Sequence, residues 1–86
     1  KLDASRVALS SVRGYDISAI FVGGTRNWPG RGLYEVAIRA PDGEYVWFCQ
    51  PHTRNEAQAV HDRIVALIDA GAVNFDGLDD RAEVVA

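Results

Sequence analysis

The sequence predicts an α+β domain: a three- or four-stranded antiparallel β-sheet with one amphipathic α-helix packed on one face. Three observations carry that prediction. Two alternating apolar runs flank a turn tripeptide, a capping box opens a stretch of helical periodicity, and a β-branched, aromatic run precedes both. At 86 residues the chain has room for one hydrophobic core.

Residues 2–13 admit two readings. Val7 and Leu9 alternate as a strand would, whereas Ala4, Val7, Ala8 and Val12 would share one helical face between an Asp3 N-cap and Gly14. The strand is preferred and the helix stays open. From Asp16 to Gly24 the run Ile17-Ser18-Ala19-Ile20-Phe21-Val22 has the make-up of a half-buried strand closed by Gly23-Gly24. Residues 25–32 carry several turn formers and predict a loop.

Leu33–Ala40 and Glu44–Gln50 flank Pro41-Asp42-Gly43, which predicts a β-hairpin. Its register decides which side chains share a face. A three-residue loop puts Tyr34, Val36 and Ile38 with Val46 and Phe48, and leaves Glu35, Ala37 and Arg39 with Tyr45, Trp47 and Cys49. A two-residue Asp42-Gly43 loop brings Trp47 beside Ile38 instead. The first is preferred, because it makes one face consistently apolar.

Thr53-Arg54-Asn55-Glu56 is a capping box, in which the Thr53 hydroxyl and the Glu56 carboxylate satisfy each other's backbone amides. Ala57, Val60, Ile64, Leu67 and Ile68 then recur along one face, and Gly71 sits at the C′ position. A helix of about 17 residues, roughly 26 Å long, can cover one side of a small sheet. Ala72-Val73-Asn74-Phe75 can return an apolar plug to the core. Residues 1–75 therefore read as one domain, and residues 76–86 as an acidic, flexible tail.

Charge and composition narrow the function classes. Nine basic residues against twelve acidic ones give a net charge of −3, which argues against a basic nucleic-acid arm or a polybasic membrane patch. The charge is uneven: residues 1–54 hold seven basic and five acidic groups, residues 55–86 two and seven. No apolar run reaches the roughly 18–20 residues of a membrane span, and no signal-peptide pattern opens the chain. The single cysteine, Cys49, excludes an internal disulfide and suits a reducing compartment, so the expected location is cytoplasmic.

Little points to catalysis. Cys49, His52 and His61 could supply at most three ligands, one short of an ordinary structural zinc site, so no metal is expected. Nothing orients a Cys–His nucleophilic pair by spacing. Gly23-Gly24 and Gly30-Arg31-Gly32 lack the pattern of a phosphate loop, and no cofactor is implied. Asp79-Asp80 falls in the tail, without a rigid scaffold. An enzyme is not the expected class.

The outer sheet face is more informative. Arg39, Tyr45 and Trp47, with Trp28, Arg26 and Arg31 on the preceding loop, combine aromatic planes with guanidinium groups. That mixture suits a protein-binding hot spot or contacts to bases and phosphates. The competing reading buries Trp47 as core.

The run Ile38-Arg39, Pro41, Gly43 and Val46-Trp47-Phe48, followed by Thr53, Glu56-Ala57, His61-Asp62-Arg63 and then Asn74-Phe75, resembles the AP2 DNA-binding domain over residues 21–75. The resemblance implies a three-stranded antiparallel sheet with a helix across one face. It also implies that the other face lies in the DNA major groove, with Arg39 and Trp47 at DNA-contacting positions. Val22 and Thr25 stand where that family carries arginines, and Glu44-Tyr45 replaces a basic turn. Residues 21–54 hold four arginines against three acids, a small excess for neutralising phosphates. The leading expectation is a non-enzymatic module that binds a protein partner through the aromatic and arginine sheet face or a sheet edge. An unpaired edge could also make a homodimer. The alternative is AP2-like sequence-specific DNA binding.

Overall fold

The computed structural model describes residues 6–23 and 33–84. Four strands, β1 (Arg6–Val12), β2 (Tyr15–Phe21), β3 (Tyr34–Arg39) and β4 (Tyr45–Cys49), precede one helix, α1 (Arg54–Asp69). The strands form a single antiparallel sheet in the order β1-β2-β3-β4, and α1 lies over β1, β2 and β3. The fold is α+β, with the N-terminal segment as its fourth strand.

Local chemistry explains most of the elements. Arg13 and Gly14, both at positive φ, make the two-residue turn that joins β1 to β2. A side chain at position 14 would also press on the Pro41 ring, at 3.1 Å from its Cγ. Thr53 caps α1: its Oγ1 accepts from the Glu56 amide at 3.1 Å, while the Glu56 carboxylate accepts from the Thr53 amide at 3.3 Å. At the other end the Gly71 amide donates to the Ile68 carbonyl and the Ala72 amide to the Leu67 carbonyl, which closes the helix as a Schellman motif.

The hairpin register differs from the expected one, and a bulge is the reason. The tripeptide does form a three-residue loop, with the Ala40 amide donating to the Glu44 carbonyl at 2.8 Å and Arg39 opposite Tyr45. Val46 then bulges, so Ile38 faces Trp47, Ala37 faces Phe48 and Val36 faces Cys49. A slip of one residue sends each following side chain to the other face. Trp47 and Cys49 therefore turn toward the helix, and Phe48 turns away from it.

The core lies between the sheet and α1. Ile17, Ala19, Val36, Ile38 and Cys49 from the strands meet Ala57, Val60, Ile64 and Ile68 from the helix. Phe75 returns to this core and meets the Tyr15 ring edge-on at 5.8 Å. Residues 76–84, expected as a loose tail, turn back on the body. Leu78 pairs with Val84, Asp79 Oδ1 accepts from the Arg81 and Glu83 amides, and Ala82 is buried in the core. Among the described residues no helix is long and apolar enough to cross a membrane.

Candidate functional site: the open face of the sheet

Strand alternation sorts the side chains into two sets. Ile17, Ala19, Val36 and Ile38 point at the helix, so Asp16, Ser18, Ile20, Glu35, Ala37 and Arg39 share the opposite face. Leu9 and Ser11 join them from β1, and Tyr45 and Phe48 from β4. Among the described residues no element covers this face. Tyr45 is 68% exposed and Phe48 60%, large apolar surface for one small domain.

Tyr45 lies between two shallow hollows. One, of about 240 Å³, is lined by Ser18, Ile20, Glu35, Ala37, Tyr45 and Phe48. The other, of about 350 Å³, is lined by Leu9, Ser11, Asp16, Ser18, Arg39 and Tyr45. Neither encloses a small molecule as a catalytic cleft does. Both set aromatic and aliphatic ground beside a polar strip.

That polar strip is a built network. Asp16 Oδ2 accepts from Arg39 Nη2 at 2.7 Å, and Asp16 Oδ1 accepts from the Ser11 hydroxyl at 2.6 Å. The Ser11 hydroxyl first, and the Arg39 guanidinium after it, hold the Asp16 carboxyl below its ordinary range. The same hydrogen bond to Asp16 raises the Arg39 guanidinium above its ordinary range. Arg39 is thus oriented on the face and neutralised there. Among the described residues, Arg6 and Arg39 stand against Asp16 and Glu35 on these rows, two charges of each sign.

Of the residues singled out in the sequence, Arg39 and Tyr45 come together, directly opposite each other. Trp47 is half-buried on the helix side and packs against the core, because the Val46 bulge carried it there. The AP2 resemblance implies a DNA-facing position for that tryptophan. Trp28, Arg26 and Arg31 lie outside the described residues. Phe48, Leu9 and the Ser11–Asp16 pair were missed. Asp16 and Arg39, charged residues bordering apolar strands, were the available signal for the last of these.

The residues considered for metal or nucleophilic chemistry are separated. Cys49 is buried, and removal from water, followed by the nearby Asp80, Asp79 and Glu35 carboxylates, pushes its thiol up to about 12. His52 is exposed and donates its amide to Glu56. His61 is 6% exposed, with Nε2 at 2.9 Å from the Ser10 hydroxyl and Nδ1 at 2.9 Å from Asp62 Oδ1. A hydroxyl–imidazole–carboxylate chain of this order is the relay used in nucleophilic catalysis. Here it satisfies both nitrogens of a buried ring and ties β1 to α1. Among the described residues no group of three or more His, Cys, Asp or Glu side chains could hold a metal ion.

A third hollow, of about 390 Å³, lies between the start of α1 and the C-terminal turn. His52, Glu56, Asp80 and Arg81 mix both signs of charge around Pro51, Ala59 and Val60 there. Comparisons of the chain with family models, with curated proteins and with solved structures found no match.

Proposed function

We propose that this domain is a non-enzymatic interaction module that binds a protein partner through the open face of its sheet. Arg39, Tyr45 and Phe48 are the anchors. The observation that carries the reading is the exposure of Tyr45 and Phe48 on an uncovered face beside an arginine already paired with Asp16. Aromatic rings and arginine dominate protein-binding hot spots, and their rigidity lowers the entropy lost on docking.

Among the described residues, the charge balance of the face favours a protein over DNA. A phosphate backbone draws its affinity from unpaired cations. Arg39 would have to exchange Asp16 for a phosphate, at the cost of leaving a carboxylate beside the nucleic acid. A protein partner can instead cover the rings and leave the Arg39–Asp16 pair at the rim.

The test is affinity capture from the native host lysate, with and without nuclease, using the wild-type chain and the Tyr45→Ser/Phe48→Ser variant. The proposal expects a defined protein retained after nuclease treatment and lost with the variant. Retention that depends on nucleic acid, falls steeply with salt and is lost on Arg39→Ala would establish the AP2-like DNA reading in its place.

A further inference from the structure

We infer that the outer edge of β4 takes an extended, basic peptide segment of a partner protein as a fifth strand of the sheet. This deepens the interaction reading above and rests on its assignment of a protein partner. Every second side chain of an added strand falls beside Phe48 on the open face. The backbone sets the site. The Tyr34 amide donates to the Pro51 carbonyl at 3.0 Å, and Val36 and Ile38 oppose Cys49 and Trp47 in the same ladder. Antiparallel pairs alternate between bonded and non-bonded. Ala37–Phe48 is therefore a non-bonded pair, and the Phe48 N–H and C=O point off the sheet. Two residues on, those of Gln50 do the same. Among the described residues nothing is hydrogen-bonded to them.

This edge also lacks the usual protection. β4 reads Tyr-Val-Trp-Phe-Cys, with no charge and no proline, and α1 lies over the other three strands. Natural edges are blunted by charges, prolines or bulges. The opposite edge has two of these features: β1 opens on Arg6 and carries a register shift between Arg6 and Ala8. β4 has only its bulge, at the turn end, and the rest of the strand stays open for pairing. Peptides that add a strand to such an edge draw affinity from main-chain hydrogen bonds and specificity from their side chains.

Charge selects a basic occupant. One end of β4 is the acidic turn, Asp42 and Glu44, held in shape by the Glu44 amide donating to Asp42 Oδ1 at 3.0 Å. Arg39, opposite Tyr45, is already paired with Asp16. The other end is mixed: His52, Arg54 and Arg81 stand there with Glu35, Glu56, Asp79 and Asp80. The buried Cys49 thiol at that end registers the balance. Beyond its removal from water, Asp80, Asp79 and Glu35 push it up, and no cation is among the groups that act on it. Among the described residues, both ends of the strand are therefore acidic, around an uncharged centre. From Glu44 to Gln50 the strand spans about 20 Å, the length of about seven extended residues. A segment with Lys or Arg at each end and β-branched residues between them matches this pattern in either direction. An acidic segment meets like charge at both ends.

The test is fluorescence anisotropy of a labelled peptide, Lys-Arg-Val-Thr-Val-Thr-Arg-Lys, titrated with the chain to about 1 mM. Saturable binding is expected. It should weaken by about tenfold or more when the four basic residues of the peptide become acidic. The same loss is expected with Glu44→Lys/Asp80→Lys, both exposed positions, and that variant should take the acidic peptide better. N-methylation of every second peptide residue removes the amides along one side of the added strand. One of the two alternate patterns is expected to abolish binding, and the other to leave it within about twofold. These peptides keep the test decisive even if the double variant fails to fold by circular dichroism. No binding up to about 1 mM, or equal binding by both N-methylated patterns, overturns the inference. The face reading fails separately. A peptide that binds in this pattern, while lysate capture survives Tyr45→Ser/Phe48→Ser, keeps the edge and discards the face anchors. Capture lost on that variant, with no peptide bound, does the reverse.

Discussion

The two faces of this one sheet share a backbone and differ in almost everything else. On the helix side, Ile17, Val36, Ile38, Ile64 and Ile68 are fully buried, and even the polar His61 has both ring nitrogens engaged. On the other side, Tyr45, Phe48 and Leu9 stand in water beside a paired arginine and aspartate. Burial is what makes the inner face a determinant of stability. The outer face holds comparable side chains that stay exposed, so they contribute less to the stability of the isolated fold.

The sharpest way to break this contrast is a charge on the inner face. Ile64→Asp places an unpaired carboxylate in the core between α1 and the sheet and is expected to unfold the chain, a cost above about 4 kcal/mol. Circular dichroism showing a folded variant would contradict the assignment of the core face. Ile38→Ala leaves a void opposite Trp47 and should cost about 2–5 kcal/mol by denaturant titration.

Smaller effects come from the ends of the helix and from the buried thiol. Thr53→Ala removes the hydroxyl that accepts from the Glu56 amide and should cost about 1 kcal/mol in thermal or urea melts. Cys49 titrates in the unfolded chain near its ordinary 9.0 but only near about 12 in the fold, so the folded state holds the extra proton between those values. Stability is therefore unaffected by this group below pH 9.0 and falls as pH rises toward about 12. Comparing alkaline melts of the wild type with Cys49→Ala isolates the effect, which the variant should lack.

The parts of this molecule that were legible in the sequence are those decided within a few residues. The capping box needs only Thr53 and Glu56 three positions apart, and the helix end needs only Gly71 after the last apolar turn. The three-residue loop at Pro41-Asp42-Gly43 is equally local. The bulge at Val46 is not. Nothing next to it in sequence distinguishes Trp47 inward from Phe48 inward; the choice rests on which side chain packs better beneath distant elements. That single residue decided which aromatics lie on the open face: Tyr45 does, as the alternation predicts, whereas Trp47 and Phe48 exchanged faces. The contact between Ser10 and His61 spans 51 positions, and the burial of Ala82 depends on a turn closed around Asp79. Both are settled by tertiary packing, beyond the reach of periodicity.

Tyr45→Ser/Phe48→Ser is the smallest expected perturbation of the fold and the largest of the function. A face that binds a protein partner is tested most directly by urea-unfolding stability and partner capture on that one variant. Stability within about 0.5 kcal/mol of the wild type, together with loss of the captured protein, is the result expected. A variant destabilised as strongly as Ile38→Ala, or one that still retains its partner, would contradict it.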